Sequence, residues 1–454
     1  MRRDRETIGA TEVREVEMTI RRRRHFFRAV RVMTVASAAV LAGAGSVLAQ
    51  QPAGAHPAPQ GPVTFTKDIA PIFYRSCVVC HRPGSIAPMS LVTYEGARPW
   101  VRSIRQKVSS REMPPWYIER NVGIQKFKDD RSLTDAELAT ITRWIDSGAP
   151  RGNAADLPAA PTFASTNEWA MGRPDLIVSM PEPLTVHAVG PDWWKDVEID
   201  PHFTEDRYVR AIESKPSLPS AEKVVHHAVS DLEYPDGTER LLNEFAVGKN
   251  ADIYPEGSGL LVKAGSKLKI NLHLHSVGEE TKAGVSVGFK FYPKGVTPTH
   301  IIEALHAGDS YDTIDVPAGE IGRVDGYQLL TKPTKIISFQ PHMHNRGSRQ
   351  CVEAIFPNGK VETLSCARHN FAWMINYTYA DEVAPLLPAY TTLHVISWYD
   401  NTSANRYNPD PRNPAGFGNR SVDEMGFAWI NSHSLTEDEF KQQVAERVAR
   451  KSTN

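Results

Sequence analysis

The chain has 454 residues, with 52 Lys+Arg against 53 Asp+Glu and a formal net charge of −1. That balance, with no basic tract beyond the N-terminus, excludes a charge-built nucleic-acid surface, so no nucleic-acid partner is expected. The length exceeds one typical core, and two or three domains are expected.

Residues 1–49 read as an export signal. Arg21 to Arg24 and Arg28 form its basic segment, and Met33 to Ala49 an apolar run of small residues. The run is short for a membrane span, so no stable span is expected once it is cleaved. Arg23-Arg24-His25-Phe26-Phe27 also fits a twin-arginine signal, so the export route stays open. An uncleaved anchor is the alternative. Either way the rest of the chain would be periplasmic or secreted. The signal holds ten Lys+Arg and five Asp+Glu, so 42 and 48 remain, a net charge near −6. Residues 50–62, rich in Pro, Ala, Gly and Gln, read as a flexible lead-in.

Cys77-Val78-Val79-Cys80-His81 has the Cys-X-X-Cys-His form that attaches a c-type haem. Two thioethers would anchor the haem, and His81 would be the proximal iron ligand. A zinc site would need a second ligand pair nearby, and the next cysteine is Cys351. A thioredoxin-like pair would follow a buried strand, whereas Asp68 to Ser76 looks helical. The expected sixth ligand is Met113, which precedes Pro114 much as in the Met-Pro loop of small cytochromes c. Met89 follows the haem peptide closely in a Pro-rich turn and is the weaker candidate.

Thr134-Asp135-Ala136-Glu137 is a capping box, and Leu138, Ile141, Trp144 and Ile145 share one helical face. Gly148 and Pro150 should end that helix. A small all-α cytochrome c domain is therefore expected over 62–150, with an Ala/Pro-rich linker over 151–175. From residue 176 the texture changes to alternating strands and turns. Two all-β sandwich domains are expected, over 176–295 and 296–433. The tail, 434–454, opens with a second capping box at Thr436 and Glu439 and should be a packing helix.

Three histidine clusters lie in the strand region: His226-His227, His273-Leu274-His275 and His342-Met343-His344. Residues i and i+2 of a strand share a face, so His342 and His344 would converge on one metal. Adjacent His226 and His227 would converge only at a bulge or strand end. Imidazoles with a thioether favour copper, Cu(I) above all, and Asp423-Glu424-Met425 supplies the thioether. His187, His202, His300, His306, His369, His394 and His433 lack ligand spacing and read as satisfied or surface residues. Asn358-Gly359 reads as a two-residue hairpin turn, which would set Cys351 opposite Cys366. In an oxidising compartment that pair should be a disulfide, although counting from the turn puts it at a hydrogen-bonded position with the wider Cα spacing.

His-His, then His, then His-X-His, then Asp-Glu-Met, in that order, resembles the ascorbate-dependent type II copper monooxygenases. Peptidylglycine alpha-hydroxylating and dopamine beta-monooxygenases belong to that family. The resemblance covers roughly 176–433 and implies jelly-roll-like sandwiches holding two copper ions. It implies one copper on His226, His227 and His273, with His275 able to stand in for His273. It implies a second, catalytic copper on His342, His344 and Met425, where O2 is activated to hydroxylate a C–H bond of a small substrate. The family draws electrons from ascorbate; a fused haem points to relay through the haem, from ascorbate or a redox protein, to the three-His copper. The peptide-amidating branch carries Arg where this chain has Gln340, and Tyr where it has Trp429. A carboxylate clamp is therefore absent, and Phe427, Trp429 and Trp373 suggest a more apolar pocket. A non-catalytic copper and haem carrier, and an electron-transfer protein, are the alternatives.

Overall fold

Phe65, Phe73, Ile141 and Trp144 close one small apolar core in the computed structural model, which describes residues 61–83, 87–162, 169–246, 249, 251–308 and 313–453. The expected export signal lies outside the described residues. A π-helical turn at Phe65–Ile69 runs into α1 (Ala70–Ser76), followed by α2 (Val101–Ser109) and α3 (Asp135–Asp146). Thr134 starts α3 through the expected capping box: its hydroxyl accepts from the Glu137 N–H, and Glu137 accepts from the Thr134 N–H. Ile141 and Trp144 are fully buried, with Trp144 edge-on to Phe73. Gly148, at φ +90°, ends the helix as expected, and the Trp144 indole N–H fixes the exit by donating to Pro150 O at 3.0 Å.

Between α2 and α3 the chain leaves this core, which changes the boundary expected over 62–150. Ile118–Gly123 is a strand antiparallel to Val361–Arg368, and Tyr117, Ile118 and Phe127 are buried in a sheet core far along the chain. Glu119 ion-pairs Arg349 at 2.6 Å. The helices and the sheets belong to one compact unit, Ala58–Asn454.

Among the described residues strand dominates (39% against 17% helix), so sheets set the architecture. One four-stranded sheet runs Trp193–Ile199, Lys267–Leu274, Val225–Glu233, Glu239–Ala246. A second runs His300–Ile301, Ser258–Val262, Arg207–Pro216, Val285–Phe291, Leu176–Ser179. They share a core: Leu268, Ile270 and Leu272 from one meet Ile212, Val287 and Phe289 from the other. His300–Ile301, just past the expected boundary at 295, still pairs with Ser258–Val262.

A further double layer follows. Its first sheet orders Ile118–Gly123, Val361–Arg368, Gly347–Ile355, Thr391–Asp400, Ile321–Leu330. Its second is centred on Ser338–Met343 and Gly426–Ser434. Val352, Leu364 and Leu393 pack against Phe339, Ala428 and Ile430 between them.

Cys351 and Cys366 form the disulfide, as direct ladder partners with Cα atoms 4.0 Å apart. The turn that brings them together differs from the expected one. Phe356 N–H donates to Lys360 O, enclosing the three residues Pro357, Asn358 and Gly359, with Gly359 at φ +80°. That shifts the register by one, and a bulge at Leu364 restores it: Glu353 faces Thr363, but Val352 faces Ser365. The bulge also resets the ladder alternation, which accounts for a Cα spacing shorter than that of a hydrogen-bonded pair. The last helix, α4 (Glu437–Thr453), starts at Thr436, whose hydroxyl accepts from the Glu439 N–H.

Candidate functional site

The Lys267–Leu274 strand alternates cleanly. Leu268, Ile270, Leu272 and Leu274 face the core, which leaves His273 on the opposite face. There it is only 1% exposed and lies directly opposite His227. The next pair is Leu274 with Val225, so His226 is the inserted residue of a bulge. This is the broken alternation that adjacent histidines need to share a face. One nitrogen each of His226, His227 and His273 lies within 4.8 Å of the others, and His275 is not in that group.

Asp192 completes the geometry. His273 Nε2 donates to Asp192 Oδ2 at 2.9 Å, which leaves Nδ1, buried and without a partner, as the free donor atom. A carboxylate holding the far nitrogen fixes the tautomer a metal needs. Trp194 stacks on the His273 ring at 4.4 Å.

The second cluster starts from Ser338–Met343. Phe339 points into the core, so Gln340 and His342 take the other face, and His344 follows at i+2. His342 pairs with Phe427 and Met343 with Gly426; His344 and Met425 are the next residue beyond each end of that ladder. The residues beside Met425 hold His344. Its Nδ1–H donates to Asp423 O at 3.2 Å. Glu424, 0% exposed, accepts from the backbone N–H groups of His344 and Arg346 at 3.1 and 2.8 Å. Burial pushes its carboxyl up to about 8, against the two N–H donors and Arg346, which favour the charge. His342 Nδ1 is buried without a partner.

The two clusters face each other. Phe371 stacks on His226 at 4.9 Å and meets His344 edge-on at 6.3 Å. Gln340, in the position of the absent clamp, donates to Glu244 of the first double layer; both side chains are 3% exposed. Burial raises the Glu244 carboxyl to about 7. Below pH 4.5 folded and unfolded chains both hold that proton; as pH rises toward 7 only the unfolded chain releases it, so stability falls. Wild type should lose up to about 3 kcal/mol relative to Glu244→Gln between pH 4.5 and 7. Denaturation curves of the two proteins at both pH values check this, and parallel pH dependence would count against it.

Two histidines without sequence spacing join the second cluster. His306 lies 3.7 Å from Phe427, which stacks on His342 at 4.4 Å. His369 is half-buried beside Met343, with a buried, unpartnered Nε2. Neither shows a local signal, because tertiary folding alone brings them in. By contrast, His187 and His202 are exposed, and His394 lies between Asp325 and Glu353, as surface and satisfied histidines should.

Burial lowers five of these imidazoles: His226 and His344 to about 4, His227 and His342 well below the ordinary range, His273 also downward. Neutral rings are the ligating form, so protons should compete for these sites only near pH 4. Copper loaded at pH 7 should therefore survive dialysis at pH 5.5 and be released around pH 4. Release already at pH 6 would contradict these directions.

The third element is a cavity of about 290 Å³ lined by Cys77, Cys80, His81, Met89, Met113, Phe73, Leu91, Ile104 and Val108, among others. Both cysteines are free thiols, and burial pushes Cys77 up to about 12, the reverse of a reactive thioredoxin-type thiol. His81 Nδ1–H donates to Met89 O at 3.2 Å, leaving Nε2 free. The same bond sets Met89 beside His81. Trp373 lines this cavity too, not the His342 face where Phe427 and Trp429 lie.

No protein-family model matches the chain. No curated protein matches it. Solved structures give faint likenesses. A candidate alpha-L-fucosidase from Bacteroides ovatus is 10% identical, with a TM-score of 0.16 over 66% of this chain and 43% of that one. This chain therefore spans less than half of that protein. A Macrobrachium rosenbergii nodavirus structure is 10% identical, with a TM-score of 0.14 over 64% of this chain and 100% of that one. An oxalate decarboxylase from Bacillus subtilis is 9% identical, with a TM-score of 0.10 over 54% and 80%. Likenesses this low carry no argument. Among the described residues no helix is long and apolar enough to cross a membrane.

Proposed function

We propose that the chain is an exported dicopper monooxygenase that receives electrons through a covalently attached c-type haem. The observation that carries this reading is the pair of chemically different histidine sites facing each other across Phe371. His226, His227 and His273 would hold one copper; His342, His344 and Met425 would hold the other. Bound copper supplies one-electron redox chemistry at each site, with the thioether favouring the cuprous form that meets O2. Cys77, Cys80, His81 and Met113 would hold the haem, and all four line the cavity.

The chain's own residues do the positioning. Asp192 orients His273, Asp423 orients His344, and Glu424 ties down the backbone from His344 to Arg346. The buried Gln340–Glu244 bond joins the two double layers. With Gln340 so engaged, no cation is offered to a substrate carboxylate there. The substrate class that fits is a small molecule with an apolar or aromatic part, held near Phe427 and Trp429.

One observation favours a second reading. Phe371 occupies the space between the clusters, which suits an electron-transfer protein with no substrate to admit. Metal analysis separates the two. Two coppers and one haem per chain support the oxygenase; a single copper or none supports the other.

A further inference from the structure

The haem cavity and the two histidine sites are joined by one tight turn. Trp373 lines the cavity that Cys77, Cys80, His81 and Met113 also line. Two residues earlier, Phe371 stacks on His226 at 4.9 Å and reaches His344 at 6.3 Å. The turn is held at both ends. Trp373 N–H donates to Asn370 O at 2.9 Å, and Ala372 N–H donates to Asn370 Oδ1 at 3.1 Å. Asn370 Nδ2 donates to the Tyr117 hydroxyl at 3.1 Å, and His369 N–H donates to Ser348 O at 2.8 Å. Two residues of chain span at most about 7 Å between Cα atoms.

We infer that the Asn370–Trp373 turn is the electron bridge of this protein, with Trp373 receiving at the haem cavity and Phe371 delivering to the histidine sites. This rests on the reading that the cavity holds haem and the histidines hold copper. The step is a one-electron transfer: ferrous haem becomes ferric, one cupric ion becomes cuprous, and no atom or proton moves. Electronic coupling falls off faster across a gap than through packed rings and covalent bonds. Trp373 and Phe371 are positioning residues whose rings fill the two gaps that the backbone cannot.

The test uses the full exported chain loaded with haem and copper, without O2. A flash-excited soluble reductant reduces the haem beside cupric sites, and the reoxidation of the haem is followed in the α-band. Phe371→Leu and Trp373→Leu should each slow it about tenfold, equivalent to about 1.4 kcal/mol of barrier. Copper count and covalent haem should be retained, rates are compared at the measured haem midpoint potential, and Trp373→Phe should restore most of the rate. If either Leu variant fails to accumulate, the other decides, together with Phe371→Tyr, which keeps the ring and must match wild type. Leu variants transferring within about twofold of wild type overturn the bridge alone. A wild-type protein with both metals but no haem-to-copper transfer overturns the bridge and the relay function together.

Discussion

Replacing His342 with alanine should lower the copper content from two to one per chain. Side chains that merely orient a ligand are worth about 10–100-fold in metal affinity, so losing a ligand itself should exceed that. His342 is buried, and its Nδ1 has no partner in the protein, so removing that nitrogen breaks no hydrogen bond. The three-His site should keep its copper, because it stands on a different sheet with its own carboxylate, Asp192. Metal analysis of the purified variant, with spectra of the remaining copper, checks this. Two coppers retained would remove His342 from the site. His227→Ala should show the converse pattern, losing the other copper.

The second large effect is on the haem. Cys77→Ser with Cys80→Ser should abolish covalent attachment, so that the denatured chain carries no haem. Both cysteines line the cavity as free thiols, and no other free cysteine exists, since Cys351 and Cys366 are bonded to each other. The copper content of the double variant should stay at two, because the histidine clusters are built on the sheets. Haem remaining after denaturation would contradict the thioether assignment. Loss of both coppers along with the haem would mean that the helical part supports the sheets more than its separate core suggests.

Much of the fold, and the convergence of His226, His227 and His273, was legible in the chain because the signals are local. Alternation placed His342 and His344 on one face, and it also stated the condition, a bulge, under which His226 and His227 could meet. The capping boxes at Thr134 and Thr436 fixed two helix starts. The disulfide was found for a partly mistaken reason: a three-residue turn and the bulge at Leu364 cancel in register. What stayed hidden depends on partners far along the chain. Ile118–Gly123 has three polar residues in its middle and pairs some 240 positions away, so nothing nearby marks it as a strand. His306 and His369 have no spacing and enter only through sheet order and one loop. Trp373, a residue expected near substrate, lines the cavity at Cys77, Cys80 and His81 instead, where residues of the helical part also contribute.

The most direct test of the central claim starts from the copper-loaded, fully reduced protein. It is mixed with O2 in a stopped-flow spectrometer while the haem α-band is followed. The expected result is fast haem oxidation that requires copper and is lost in His342→Ala. Haem oxidation at the same rate without copper, or in the variant, would contradict a single electron path from haem through copper to O2.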